Sequence, residues 1–268
     1  MGGLSSCNSL FSQLLVEAGR TLSYVETVEP SKAYSLHRRV KQLYEEDLKH
    51  NFELIVRKIL IESKVKKCVL AFDTTKEFYW GRNGGLNVRG VKFERGAEEV
   101  WEWLVVSIVK PFPLPLMALP YRQGDDLAMM TIDLLKYVKS LNLQIDYSLF
   151  DRGFYIGHLI DFLEAEKMKY VILVPENERM KSYAEQTKNI RAFEHEMKYQ
   201  KDKSSWKPKT KIVVIKNVRR GEKTFDMFFA TNLPTSLNLL KIYPQRWQIE
   251  TNFRVMDEAK IKSKSNFH

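Results

Sequence analysis

Two apolar segments run straight into an aspartate, and this repeated pattern restricts the folds open to the chain. Residues 67–75 read KCVLAFDTT and residues 144–151 read QIDYSLFD. Val69 to Phe72 is apolar without interruption, as in a central strand covered on both faces. Gln144 to Phe150 reads as a second strand, so Asp73 and Asp151 stand at two strand ends. An acid in such a place is costly to bury without a partner. The plainer reading of Asp73 is a turn residue capping Thr75 or Lys76. A third acid, Glu250, lies in the segment Tyr243 to Lys262, YPQRWQIETNFRVMDEAKIK, which reads as one helix with Pro244 in its first turn. Arg246, Glu250, Phe253 and Asp257 recur at spacings of three and four and share a face. Here too a plainer reading exists: Glu250 and Arg254 form an i,i+4 pair, and such pairs are usually solvated.

The rest of the chain supplies elements for a mixed sheet. Residues 1–66 look helical, with Leu10, Leu14 and Leu15, then Leu43, Leu48, Phe52, Ile55, Val56, Ile59 and Leu60 at helical intervals. Pro30 and Ser31 interrupt this N-terminal helical appendage. Its basic group, His37, Arg38, Arg39 and Lys41, is either a solvated face or a DNA-contacting one. Asn83–Gly84 marks a turn. Residues 86–122 read as two strands, Trp103 to Val109 and Leu114 to Leu119, in a proline-punctuated stretch. Asp125 and Asp126 cap a helix whose stripe is Leu127, Met130, Leu134, Val138 and Leu141. A helix through Ile156, Leu159, Ile160 and Leu163 and a strand from Tyr170 to Val174 follow. Residues 176–208 turn polar and read as a partly helical, mobile insertion. Lys211 to Lys216 and Thr224 to Ala230 then form two strands joined at Arg220–Gly221, so the strand-rich insertion spans about 176–233. This order is that of a ribonuclease-H-like α/β fold, a mixed sheet flanked by helices over residues 67–268. Neighbouring strand ends in such a sheet bring Asp73 and Asp151 together, and the Glu250 helix closes the site.

Composition narrows the chemistry. Lys and Arg number 43 against 33 Asp and Glu, a formal net charge of +10, which favours a polyanionic partner. Cys7 and Cys68 are too few for a disulfide framework or a thiolate metal site, which fits a reducing, cytoplasmic setting. Met1 to Ser12 lacks the basic start and apolar core of a leader peptide. No apolar run approaches the roughly 18 residues of a membrane span. The histidines show no HExxH spacing, and no P-loop is present. Three converging carboxylates repel one another unless cations fill the gap, and Mg²⁺ takes such oxygen ligands. Two ions about 3.5–4 Å apart would serve phosphoryl transfer, with Asp73 bridging both and Asp151 and Glu250 each holding one. The substrate would then be a phosphodiester.

At these residues the chain resembles the DDE transposases of prokaryotic insertion sequences, in the group with a strand-rich insertion before the catalytic glutamate. The matching residues are Phe72–Asp73–Thr74–Thr75 with Tyr79–Trp80–Gly81, then Phe150–Asp151–Arg152–Gly153–Phe154, then Tyr243, Arg246–Trp247 and Ile249–Glu250. The family pattern runs Tyr, two residues, Arg, three residues, Glu, six residues, Lys. The last position here is Asp257, and the nearest lysines are Lys260 and Lys262. The resemblance implies catalytic and metal-binding roles for Asp73, Asp151 and Glu250, with two Mg²⁺ or Mn²⁺ ions. It implies nicking at transposon ends and strand transfer into target DNA by a protein that is a homodimer on double-stranded DNA and associated with the nucleoid. Tyr243, Arg246, Arg254 and Lys260 are the candidate DNA contacts. Arg246 would hold a phosphate or position Glu250, or be a surface ion pair. Tyr243 precedes Pro244, which pushes it out of helical geometry, to contact DNA or to staple the helix entry. Trp247 reads as core. Trp80 does too, unless it lies beside Asp73 and stacks on a flipped base. Two rivals share the fold: a truncated remnant that holds DNA without cutting it, since the chain ends soon after this helix, and a nuclease such as a junction resolvase.

Overall fold

The computed structural model describes residues 44–81, 88–197 and 207–258. Leu10 to Leu15, the basic group from His37 to Lys41, the Asn83–Gly84 turn, Lys260 and Lys262 lie outside the described residues. In chain order the elements are α1 (Glu45–Ser63), β1 (Lys67–Tyr79), β2 (Arg89–Glu94), β3 (Ala97–Lys110), β4 (Leu114–Pro120), α2 (Leu127–Ser140) and β5 (Gln144–Phe150). A short 3₁₀ turn (Arg152–Phe154) leads to α3 (Gly157–Ala165), β6 (Tyr170–Leu173), α4 (Glu178–Glu185), β7 (Ile190–Glu196), β8 (Lys209–Arg220) and β9 (Lys223–Thr231). The described chain closes with α5 (Leu239–Ile242), a 3₁₀ turn (Tyr243–Arg246) and α6 (Trp247–Glu258).

Among the described residues the strands form one nine-stranded sheet. β1 runs antiparallel to β3 on one side and parallel to β5 on the other. β2 and β4 pair with successive stretches of β3. β6 continues parallel to β5, and β9, β8 and β7 extend the sheet antiparallel beyond it. An antiparallel β1–β3–β4 meander followed by helix-linked parallel strands β5 and β6 is the ribonuclease-H-like order, and β7 to β9 are the strand-rich insertion joined to its far edge.

The two-residue period of a strand sorts the core into two layers. Leu70 and Phe72 of β1 face the layer that contains Leu134 and Leu135 of α2 and Leu159 and Ile160 of α3, all buried. Val69 and Ala71 face the other layer, which contains Leu239, Tyr243 and Ile249 of the C-terminal segment. Both faces of β1 are therefore covered, which is why Cys68 to Phe72 is an unbroken buried run. Asp126 caps α2 as its sequence suggests, accepting hydrogen bonds from the amides of Ala128 and Met129.

Three local expectations are corrected, and a fourth, the partly helical stretch after residue 176, gains a strand beside its helix. Asp73 does not end its strand, because β1 continues to Tyr79 paired with β3; what ends at Phe72 is the parallel pairing with β5. Residues 86–122 hold three strands rather than two. β2 escapes a hydrophobicity reading because it is short and largely exposed. The described part of the polar stretch after residue 176 forms α4 and β7, with Met180 and Ala184 buried on one side of α4 and Asn177 capping its start. The segment from Tyr243 is not one helix: its first four residues are 3₁₀, and the α-helix begins at Trp247.

Candidate active site

The site forms where the parallel register ends. Phe72 and Phe150 are register partners, and their rings stack with centroids 4.8 Å apart. Asp73 and Asp151 are the next residues on the two chains. Asp73 follows the odd-numbered side of β1, so it projects to the layer occupied by the C-terminal segment. That segment is seated by buried Ile249, by the Tyr243 ring 5.3 Å from that of Phe229, and by the Tyr147 hydroxyl, which donates to Gln245 Oε1 at 3.0 Å. Seated so, the 3₁₀ turn carries Arg246 to Asp73, where the pairing of β1 with β5 ends, and the first turn of α6 carries Glu250 beside it.

Arg246 joins the acids. Its Nη1 donates to Asp73 Oδ2 at 2.7 Å, and its Nη2 donates to Glu250 Oε1 at 2.7 Å. The residue is only 6% exposed, and its Nε is buried without a hydrogen-bond acceptor. The remaining oxygen of Asp73 accepts from the Thr74 amide at 2.9 Å. The Tyr243 hydroxyl lies 3.4 Å from Asp151 Oδ1, a long hydrogen bond. One guanidinium thus joins Asp73 of β1 to Glu250 of α6, and Asp151, at the end of β5, lies nearby against the Tyr243 hydroxyl.

Burial pushes the Asp73 carboxyl up to about 6; the Arg246 charge and the Thr74 amide pull it down, and the Asp151 and Glu250 charges push it further up. Burial also works against the Arg246 charge, yet Asp73, Tyr243, Asp151 and Glu250 together raise its pKa above the ordinary value. The Tyr243 hydroxyl is raised chiefly by burial. One positive charge therefore balances a pocket of three acids only in part. The donor set, hard oxygens without thiolate or imidazole, is the kind that Mg²⁺ or Mn²⁺ takes. As the side chains stand, no three His, Cys, Asp or Glu groups among the described residues are close enough together to hold an ion. The guanidinium lies between Asp73 and Glu250, where a cation's charge is called for. In chemistry the donors fit; in placement Arg246 holds the position.

Other expectations about this region change. Tyr243 keeps helical geometry (φ −60, ψ −41) despite preceding Pro244, because α5 runs directly into the 3₁₀ turn and burial of the Tyr243 ring outweighs the local preference. Its hydroxyl faces Asp151. Trp247 is 46% exposed rather than core, since Ile249 takes the inward position of that turn. Trp80 is exposed and donates to the Arg95 carbonyl at 3.2 Å. It lies seven positions beyond Asp73, roughly 23 Å along an extended chain. Arg254 is exposed, and the i,i+4 partner that Glu250 takes is Arg246, not Arg254. The sequence reading missed Gln245 and Tyr147, which anchor the turn. They are far apart in the chain, and no spacing signal links them.

The chain matches the family described as "Transposase DDE domain" over residues 123–265, just over half of its length. The matched region includes Asp151, Arg246 and Glu250 and begins after Asp73. No curated protein matches the chain. Among solved structures it is similar to Marinitoga piezophila Argonaute in complex with 5′-OH guide RNA and target DNA, at 11% identity and a TM-score of 0.28, over 72% of this chain and 27% of that one. The same Argonaute with guide RNA alone gives 14% identity and a TM-score of 0.28, over 69% and 26%. The chain spans about a quarter of the length of these structures.

Proposed function

Because the chain belongs to the family of transposases with a DDE domain, we propose that it cleaves DNA strands at transposon ends and transfers them to target DNA. The observation that carries this reading is that Arg246 bridges Asp73 and Glu250 while Tyr243 holds Asp151 nearby. Asp73, Asp151 and Glu250 would hold two Mg²⁺ or Mn²⁺ ions, which supply Lewis acidity for phosphoryl transfer when bound. Before any ion binds, Arg246 orients Asp73 and Glu250, and the Tyr243 hydroxyl lies against Asp151. Burial of Arg246 and half-burial of Asp73 keep bulk water from the inner side of the acids, which strengthens each electrostatic contact there. Arg254, exposed one turn beyond Glu250, contacts the DNA backbone together with Lys260, and the +10 charge supports a polyanionic substrate. The protein acts as a homodimer on double-stranded DNA, associated with the nucleoid. No helix of the described residues is long and apolar enough to cross a membrane. Residues 67–268 serve as the catalytic domain, with an insertion at about 176–233, and residues 1–66 as an N-terminal helical region.

The test is strand cleavage of labelled duplexes carrying the ends of the element that encodes the chain, with Mg²⁺ or Mn²⁺ added. Glu250→Gln preserves size and helix propensity while removing the charge. It is expected to abolish cleavage and leave DNA binding intact. Cutting at the wild-type level by this variant would refute the role of Glu250. Absence of cleavage by the wild type on its own bound ends would refute the reading of the chain as an active enzyme.

A further inference from the structure

We propose that Arg246 is a resident counter-ion that competes with divalent cations for Asp73 and Glu250, so that loading the site requires the guanidinium to leave. The inference rests on the proposed metal-binding role of the three acids and deepens it. Its basis is geometric. The two Nη atoms are divided between two carboxylates from different elements, each at 2.7 Å, rather than paired with one carboxylate in a fork. A guanidinium used in this way spans the gap between Asp73 and Glu250. With the guanidinium in that gap, no three His, Cys, Asp or Glu groups among the described residues are close enough together to hold an ion.

The same arrangement shows why the state is poised. Arg246 cannot discharge by losing a proton, so it always brings one positive charge. That single charge faces Asp73, Glu250 and the nearby Asp151. The Nε donor is buried with no acceptor, so the guanidinium is imperfectly satisfied where it lies. A group in this position costs free energy that another arrangement can recover. Glu250 is the more open of the two partners, with a side chain 37% exposed against 16% for Asp73. Exchange therefore begins at Glu250: the Nη2 bond opens towards solvent, and Asp73 is released second. The metal-free site is held closed by its own cation instead of standing open as a repelling cluster.

The experiment uses the full chain without DNA and reads Mn²⁺ binding by calorimetry and by the loss of the free-ion paramagnetic resonance signal. Arg246→Gln removes the competitor. It is expected to bind Mn²⁺ more tightly than the wild type, by about 5–150-fold, the usual span for coupling between two ligands. Its melting temperature in chelator should fall below that of the wild type and recover with Mn²⁺. Arg246→Lys keeps the charge but cannot span both acids, and it is expected to fold and to bind with intermediate affinity. In the wild type, the Arg246 side-chain ¹⁵N–¹H resonance is expected to shift on saturation with diamagnetic Mg²⁺. Equal or weaker Mn²⁺ affinity in both variants would overturn the inference while leaving the metal-binding role standing. An unmoved Arg246 resonance at saturation would overturn it as well. If no ion binds to the wild type or to either variant, the metal-binding role itself fails, and this inference with it.

Discussion

Asp73→Asn should make the metal-free protein more stable near neutral pH although it removes an acid from the candidate site. The Asp73 carboxyl is raised from 3.8 to about 6, first by burial and then by its acidic neighbours, against the pull of Arg246. The folded state thus holds the Asp73 proton more tightly than the unfolded chain does. The stability this group contributes is fully present below about pH 3.8 and is lost as the pH rises through about 6. A shift of about two units corresponds to about 3 kcal/mol at 1.36 kcal/mol per unit. That figure already includes the attraction of Arg246, which is one of the groups acting on Asp73. Asparagine keeps the shape and has no charge to desolvate, so a gain of about 1–3 kcal/mol is expected well above pH 6. The assay is urea unfolding of both proteins in chelator at several values from about pH 4 to 7.5. The two should be nearly equal at the acid end, and the variant should gain steadily as the pH rises. A variant less stable than the wild type by the same amount at every pH would refute the reasoning. It would mean that the Arg246 bond holds ionised Asp73 better than water does.

Other perturbations separate scaffold from site. Phe72→Ala removes a fully buried ring stacked 4.8 Å from Phe150 and should cost about 3–5 kcal/mol in urea unfolding, because this pair aligns the two aspartates. Tyr243→Phe keeps the ring on Phe229 and loses only the hydroxyl near Asp151; a cost of about 0.5–1.5 kcal/mol is expected, with a larger proportional loss in strand cleavage. His195 is buried beside the Tyr183 hydroxyl, and burial followed by the Arg179 charge lowers its pKa from 6.5 to about 4. Its contribution is therefore present above about pH 6.5 and lost as the pH falls towards 4, so His195→Gln should flatten the pH dependence of unfolding in that window.

The sequence by itself determined the parts of this protein that follow from local pattern. An unbroken apolar run announces a strand covered on both sides, and Val69 to Phe72 is one. Asp126 announces a helix start because its short side chain reaches the free amides of the first turn. The three acids were legible because each follows or sits within a strongly patterned element, and the i,i+4 spacing of Arg246 and Glu250 already places them on one face.

Tertiary structure decided what depends on partners distant in the chain. Whether β1 stops at Asp73 or continues is settled by pairing with β3, which supplies hydrogen bonds beyond the point where β5 ends. Tyr243 is helical because Phe229 and the sheet bury its ring, an influence that the following proline cannot reveal. Trp247 faces outward and Ile249 inward because the segment enters its helix through a 3₁₀ turn, which shifts the register of the face that meets the sheet. The bridge from Arg246 to Asp73 spans 173 residues. No periodicity encodes such a contact. It exists because an odd-numbered strand position and a buried turn are packed into the same layer, where a lone charge must find its opposite.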